Sequence, residues 1–312
     1  MALLLIGLVG FSSCNNDDDD DSMTPANDIF SVLAADPDYS ILVDALEKTG
    51  LDEFLALPAQ FTLFAPKDPA FQAFLDAAGT GSVANTPADV LNDVLTYHVI
   101  GSERKAADLE TGYYETGNIT FPGNNQIATA LYINVDNGVV LNGQAEVVDA
   151  DIDASNGVIH EIDEVINLAT VVTFAANDPN FSLLAAALTT PGLPTDFLEV
   201  LSGDGPFTVF APTNAAFEAL LLSNPDWDTP ADIPSELLDT VLKYHVTDAG
   251  NVRSTDLTDG MSVPTLAGVD FSIDLSGDVP VINAGSNTAN IIATDVQAKN
   301  GVIHVIDTVI LP

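Results

Sequence analysis

Four histidines, His98, His160, His245 and His304, are the residues best placed by type for chemistry, since imidazole carries a proton or binds a metal near neutral pH. They form two matched pairs. His98 and His245 each follow a tyrosine, as Tyr97-His98 and Tyr244-His245. His160 and His304 sit in near-identical runs, GVIHEIDEVI at 157–166 and GVIHVIDTVI at 301–310. A metal site would join the first histidine of each half to the second. Zinc asks for three or four ligands, and no cysteine or paired histidine accompanies either pair. The opposite reading is a core imidazole bonded to backbone or hydroxyl groups, with burial favouring the neutral ring. Asp149-x-Asp151-x-Asp153 opens like a calcium loop, but Ala154 and His160 stand where such a loop needs glycine and a bidentate glutamate. In the second half Gln297 replaces the third acid. An acidic strand edge that discourages sheet-to-sheet pairing accounts for the same residues. His160-Glu161 lacks the second histidine of a helical zinc-protease motif. Asp163 and Asp307 hold equivalent places and are expected to fix a turn through side-chain-to-backbone bonds. No nucleophile elbow, phosphate loop or dinucleotide fingerprint occurs. The chain therefore reads as no enzyme, with no catalytic, cofactor-binding or metal-binding residue assigned.

The elements that carry these residues recur in order. FTLFAPKDPAF at 61–71 returns as FTVFAPTNAAF at 207–217, followed each time by the Tyr-His pair and the closing Asn-Gly run. Three motifs repeated in one order at nearly constant spacing mean a duplicated domain, here 27–168 and 169–312. The period far exceeds a solenoid repeat, so each copy should build its own core. Each copy opens with apolar residues at helical spacing, Tyr39, Leu42, Val43 and Leu46 in the first. A strand follows at 61–64 or 207–210, carrying Thr62 or Thr208, and the Ala-Pro pair ends it. Asp68 and Asn214 are then expected to cap the next helix, and Thr86 with Asp89 the one after. Short strands rich in Gly, Asn and Thr fill the rest, at 127–135, 138–141 and 146–148, then 269–275, 279–283 and 291–296. Helices early and strands late predict an α+β fold with antiparallel sheets. In the closing run Val158, His160, Ile162 and Ile166 share one face, so the histidine should point inward. Almost no linker is left at 168–170, so the two domains should touch.

Composition narrows the setting. The 312 residues include 46 Asp and Glu against 7 Lys and Arg, a formal net charge of -39. That excludes a nucleic-acid footprint and charge-driven docking on an anionic membrane. The one cysteine, Cys14, excludes an intrachain disulfide. It follows an apolar run of signal-peptide length and the small residues Ser12 and Ser13, which resembles the lipobox of bacterial lipoproteins. The run lacks the usual positive start. Residues 1–13 read as a signal peptide, and 14–26 as a lipidated Cys14 with an acidic tether, Asp17 to Asp21. The tether resembles an export tag for the outer face of the outer membrane.

The Thr-x-Phe-Ala-Pro segment with its Ala-x-Phe, the Tyr-His pair, and Asn-Gly-x-Ile-His-x-Ile-Asp together resemble the three signatures of the fasciclin domain family, in both halves. The resemblance implies that each domain is a β-wedge of two sheets with a layer of α-helices, and that Thr62, Asp68, His160, Asp163, Thr208, Asn214, His304 and Asp307 are structural. It implies extracellular adhesion without an active site. It also marks Tyr97, His98, Tyr244 and His245 for partner contact, because the family's Tyr-His segment is linked to receptor binding. Trp227, the lone tryptophan, lies between Pro225 and Pro230 and reads as core packing or as a contact residue. The expected function is cell-surface adhesion or extracellular binding by an outer-membrane lipoprotein anchored only by its lipid. Expected partners are a matrix polysaccharide, a surface protein or another copy of the chain. The alternative is an accessory lipoprotein that binds polysaccharide or small molecules beside an uptake system.

Overall fold

A computed structural model describes residues 27–118 and 127–312. The expected signal peptide, Cys14 and the acidic tether lie outside the described residues. The first repeat runs α1 (Ile29–Ala35), α2 (Ser40–Thr49), α3 (Leu51–Leu55), β1 (Phe61–Pro66), α4 (Asp68–Ala77), α5 (Ala88–Tyr97), β2 (Val99–Ile100), β3 (Gly112–Glu115), β4 (Ala130–Asn134), β5 (Val140–Leu141), β6 (Ala145–Ala154) and β7 (Gly157–Ile162). The second runs α6 (Val171–Asn177), α7 (Ser182–Leu188), α8 (Phe197–Ser202), β8 (Phe207–Pro212), α9 (Asn214–Leu221), α10 (Ser235–Tyr244), β9 (Val246–Thr247), β10 (Ser262–Val263), β11 (Phe271–Asp274), β12 (Val281–Asn283), β13 (Thr288–Ala298) and β14 (Gly301–Ile306).

In each repeat hydrogen bonding is continuous through seven strands, in the order β2-β1-β7-β6-β5-β4-β3 and its mirror β10-β11-β12-β13-β14-β8-β9. The sheet becomes a wedge of two leaves because its long strand bends. In β6 the register shifts twice, between Val147 and Asp149 and between Asp149 and Ile152, and Asp151 takes a φ of 63°. In β13 the shifts fall between Ile291 and Val296, and Asp295 takes a φ of 65°. An extra residue in one strand bends it and strengthens its twist. The strand therefore belongs to one leaf at its start and to the other at its end.

The helices cover one face of the first leaf, and the second leaf folds over its other face. Strand alternation divides the side chains between two cores. Phe61, Leu63 and Ala65 join Ile29, Leu42, Leu46, Phe71 and Leu95 under the helices. Phe64 and Ile162 join Tyr97, Leu131, Ile133 and Leu141 inside the wedge. Every residue of β1 is buried for this reason, and a strand buried on both faces shows no polar alternation.

Two expectations need correction. The sheets are not wholly antiparallel, since β7 pairs with β1 in parallel and β14 with β8 likewise. The Asp149–Asp153 stretch of β6 pairs with β7 alone, because β5 reaches only Ala145 and Glu146, so these acids do lie along a strand edge, with the loop at Ala106 bonded to Asp151. The expected caps serve other helices. Lys67 and Thr213 occupy the N-cap positions of α4 and α9. Asp68 instead reaches back to α2, where its carboxylate accepts from Ile41 N at 2.8 Å and Ser40 Oγ at 2.6 Å. Asn214 accepts from Leu183 N at 2.9 Å in the same way. Pro87 precedes α5 without a side-chain bond, and the Thr86 hydroxyl turns back to Ser82 O at 3.0 Å.

Candidate functional site: the histidine networks

The Tyr-His pair ends α5, where Tyr97 is fully buried and His98 is 2 % exposed. His98 Nδ1 lies 2.7 Å from Val94 O, one turn back, and its Nε2 lies 2.9 Å from Ile166 N. A carbonyl only accepts and an amide N–H only donates, so the ring is neutral with its proton on Nδ1. His245 repeats this with Val241 O at 2.7 Å and Ile310 N at 3.1 Å. Burial pushes both rings down to about 4, although the carbonyl bond works the other way. Tyr97 Oη donates to Ala130 O at 2.6 Å and accepts from Asn142 Nδ2 at 2.9 Å. Tyr244 Oη donates to Asp270 O at 3.3 Å and accepts from Gly285 N at 3.2 Å. The pair thus bolts the helical layer to the second leaf and to the chain leaving the closing strand. The structure places all four side chains in the interior.

The strand histidines use the other tautomer. His160 Nε2 lies 2.8 Å from Arg104 O and must donate, while its Nδ1 accepts from Asp151 N at 3.2 Å. His304 Nε2 donates to Val252 O at 2.8 Å, and its Nδ1 has no partner among the described residues. Each ring lies against the phenylalanine paired with it in register, Phe64 at 5.5 Å and Phe210 at 5.4 Å between centroids. Burial lowers the pKa of both.

Thr62 delivers the carbonyl that His160 needs. Its hydroxyl donates to Ser102 O at 2.7 Å and accepts from Arg104 N at 2.8 Å, so the loop after β2 is pinned with Arg104 O facing the ring. Thr208 does the same with Gly250 O at 2.7 Å and Val252 N at 2.9 Å. The bend residue Asp151 holds the next turn of that loop by accepting from Ala106 N at 2.8 Å. Asp295 accepts from Ser254 N at 2.8 Å and from Ser254 Oγ. Two of the three calcium-like acids are thus engaged separately, Asp151 by the loop and Asp153 by Lys105 at 2.9 Å. Among the described residues no three His, Cys, Asp or Glu side chains come together in a way that could hold a metal ion.

Asp163 and Asp307 act across the sheet, not within a turn. Asp163 accepts from Glu146 N at 2.7 Å. Asp307 accepts from Asn290 N at 2.8 Å and Asn290 Nδ2 at 2.6 Å, locking the start of β13 to the end of β14. Burial works to raise the Asp307 pKa, but the Asn290 donors prevail and hold it below the usual carboxylate value. Asp307→Ala should therefore cost about 1–2 kcal/mol, the loss expected when donors are left unpaired. Thermal melts of the variant should shift down accordingly, and an unchanged midpoint would refute the assignment. Trp227 packs, partly buried, against the core under the second set of helices.

Sequence reasoning missed Asn156 and Asn300, read only as turn formers. Both are buried, and both tie the closing strand to the helical layer. Asn156 accepts from Ile29 N at 2.8 Å and donates to Leu55 O at 2.6 Å and Leu57 O at 2.9 Å. Asn300 bonds Val171 N, Leu201 O and Gly203 O. The signal available was their recurrence before both closing runs.

The fasciclin domain sequence pattern matches residues 37–168 and again 179–312. The chain belongs to the fasciclin domain family. Across both fasciclin repeats it is 31% identical over 269 residues to transforming growth factor-beta-induced protein ig-h3 of Sus scrofa, covering 82% of this chain and 35% of that protein. The chain thus spans about a third of the length of that relative. Over 144 residues it is 37% identical to the cell surface glycolipoprotein MPB83 of Mycobacterium bovis, covering 46% of this chain and 60% of that one. A solved FAS1 domain pair from the insect cell adhesion molecule fasciclin I covers 87% of this chain and 97% of its own, with a TM-score of 0.52 and 20% identity. That likeness confirms the α+β tandem fold.

The two fasciclin repeats touch. Tyr113 Oη on β3 donates to Asp178 beyond α6 at 2.8 Å, and its ring meets Phe174 edge-on at 5.2 Å. Ala130 and Tyr132 on β4 join the core under the second repeat's helices. A Cβ on Gly143 would lie 2.0 Å from the Asn177 side chain. Each repeat keeps its own wedge core, and a small apolar seam joins them.

Proposed function

We propose that this chain is a non-catalytic binding protein of the bacterial surface, held by a lipid on Cys14 and an acidic tether, that adheres to a matrix polysaccharide or surface protein. What carries the reading is the fate of the interior polar groups. The four histidines and Asp163, Asp307, Asn156 and Asn300 bond backbone groups of their own repeat, so they serve the scaffold and leave contact to exposed surfaces. Under this reading Tyr97-His98 and Tyr244-His245 shape that surface from beneath, and the outward part of Trp227 lies on it. Two relatives, a cell surface glycolipoprotein and an insect cell adhesion molecule, support it. No helix among the described residues is long and apolar enough to cross a membrane, and the reading places attachment on the Cys14 lipid.

The test is display. Bacteria expressing the full chain should incorporate palmitate into it and bind a glycan panel or a cell layer above the level of non-expressing cells. Cys14→Ser should abolish both labelling and display. Expressing cells that bind no better than the controls would end the reading.

A further inference from the structure

The helical layers of the two repeats differ at one place. In the first repeat a single residue, Gly50, joins α2 to α3, whereas eight residues, 189–196, join α7 to α8 in the second. The longer connection lies along α10, where Thr195 N donates to Asp239 at 2.9 Å, and its Leu193 packs onto the core. A second leucine joins it there. Leu266, whose N–H bonds Val246 O at 2.9 Å, also packs on that core. The equivalent bond in the first repeat, to Val99 O at 2.8 Å, is made by Gly117. The first repeat thus has neither leucine. In their place is an apolar groove of about 270 Å³ between α2, α3 and α5, lined by Leu46, Leu51, Phe54, Leu55, Leu95 and Val99. Phe54 on its wall is 38% exposed.

We propose that this groove docks an aliphatic side chain of leucine size, presented by a partner polypeptide with basic flanking residues. The second repeat shows what fits the position, since this chain fills it there with leucines of its own. The volume favours a side chain over a larger molecule, because sites for drug-sized ligands begin at about 300 Å³. Charge sets the flanks. Glu47, Asp52 and Glu53 adjoin the lining residues in sequence, on a chain of net charge -39. A second copy brings like charge, with only 7 Lys and Arg in 312 residues, and is disfavoured. The proposal deepens the surface-binding reading and rests on it for a partner outside the cell.

The probes are two labelled peptides, KKPGLPKK, which carries residues 191–194 of this chain between lysines, and KKPGSPKK. Fluorescence anisotropy with the full chain should show the leucine peptide binding at least tenfold tighter than the serine peptide. Asn92→Trp, on the groove rim, should cut that binding at least tenfold without lowering the melting temperature. Gly117→Leu, which restores the second repeat's residue, should cut it as much at some cost in stability, since its Cβ would lie 3.1 Å from Thr96 O. Methyl shifts on adding peptide should centre on Leu46, Leu51, Leu55 and Leu95. Equal binding of the two peptides would mean attraction by charge alone and overturns the site. Full binding by both variants overturns it as well. So does no binding of the leucine peptide. Cells displaying Gly117→Leu that still adhere would overturn the site and leave the surface-binding reading intact. Wild-type cells that do not adhere would end that reading.

Discussion

Replacing Gly157 by alanine is expected to unfold the first repeat or to cost it at least ~4 kcal/mol, among the largest effects available to a single substitution. Two causes add. The residue has a φ of 147°, which side chains with a Cβ rarely adopt, and the new Cβ would lie 2.0 Å from Phe61 O. That carbonyl cannot move away, because Phe61 is the first residue of β1 and pairs in parallel register with Gly157 itself. The closing strand can therefore begin only with a residue that has no side chain. Gly81→Ala is the matched control. Its φ of 65° is also left-handed, but nothing lies within 4 Å of the added methyl, so it should cost about 1–2 kcal/mol. Urea melts of the two variants would separate the contributions. A Gly157→Ala protein no less stable than Gly81→Ala would mean that the tight parallel start of β7 is not what holds the strand.

Lowering the pH from 7 to 5 should remove about 2 kcal/mol of stability from each repeat, through His98 in the first and His245 in the second. Their folded pKa values are pushed from 6.5 to about 4 by burial. Between those limits the unfolded chain binds a proton that the folded chain refuses. Stability is thus fully present above about pH 6.5, and is lost as the pH falls towards 4. The folded ring cannot take the proton cheaply, because its Nε2 already accepts from Ile166 N or Ile310 N, and protonation would set two donors against each other. Relief of acidic self-repulsion acts in the opposite sense, but it begins near the carboxylate pKa of about 4. The interval from pH 7 to 5 therefore belongs to the histidines. His245→Gln should reduce the slope of the second repeat alone and leave the part due to His304, whose pKa burial also lowers. A stability that stays level from pH 7 to 5 would contradict the buried neutral assignment.

The duplicated sequence made the fold class legible, because three motifs recur with the same neighbours. It also placed the histidines inside, since His160 and His304 keep step with aliphatic residues along a strand. Pairing was less visible. Nothing local marks β7 as the parallel partner of β1, almost a hundred residues earlier in the chain, and strand patterns look alike in either direction. The cap assignments erred for a related reason. Asp68 followed by Pro69 has the local form of a helix start, yet its carboxylate serves a helix that begins at Ser40. Short polar side chains bond whatever backbone donor folding brings near, and that choice is tertiary. The apolar groove was hidden for the opposite reason. It arises from what one repeat lacks relative to the other, Leu193 and Leu266, and shows only when equivalent backbone bonds are matched.

The grip of Asn156 has a mechanical consequence. The chain enters the first repeat at Ile29, whose N–H is held by Asn156 beside the first residue of β7, and Asn27 O accepts from Ser155 N at 3.0 Å. It leaves just past the other end of that strand, where Ile166 N is held by His98. A pull between the chain before Asn27 and the second repeat would thus stretch β7 along its own axis. Its ladders to β1 and β6 run on both sides, so their bonds would have to shear together and could not unzip one by one. Val171 held by Asn300 and Ile310 held by His245 give the second repeat the same loading geometry.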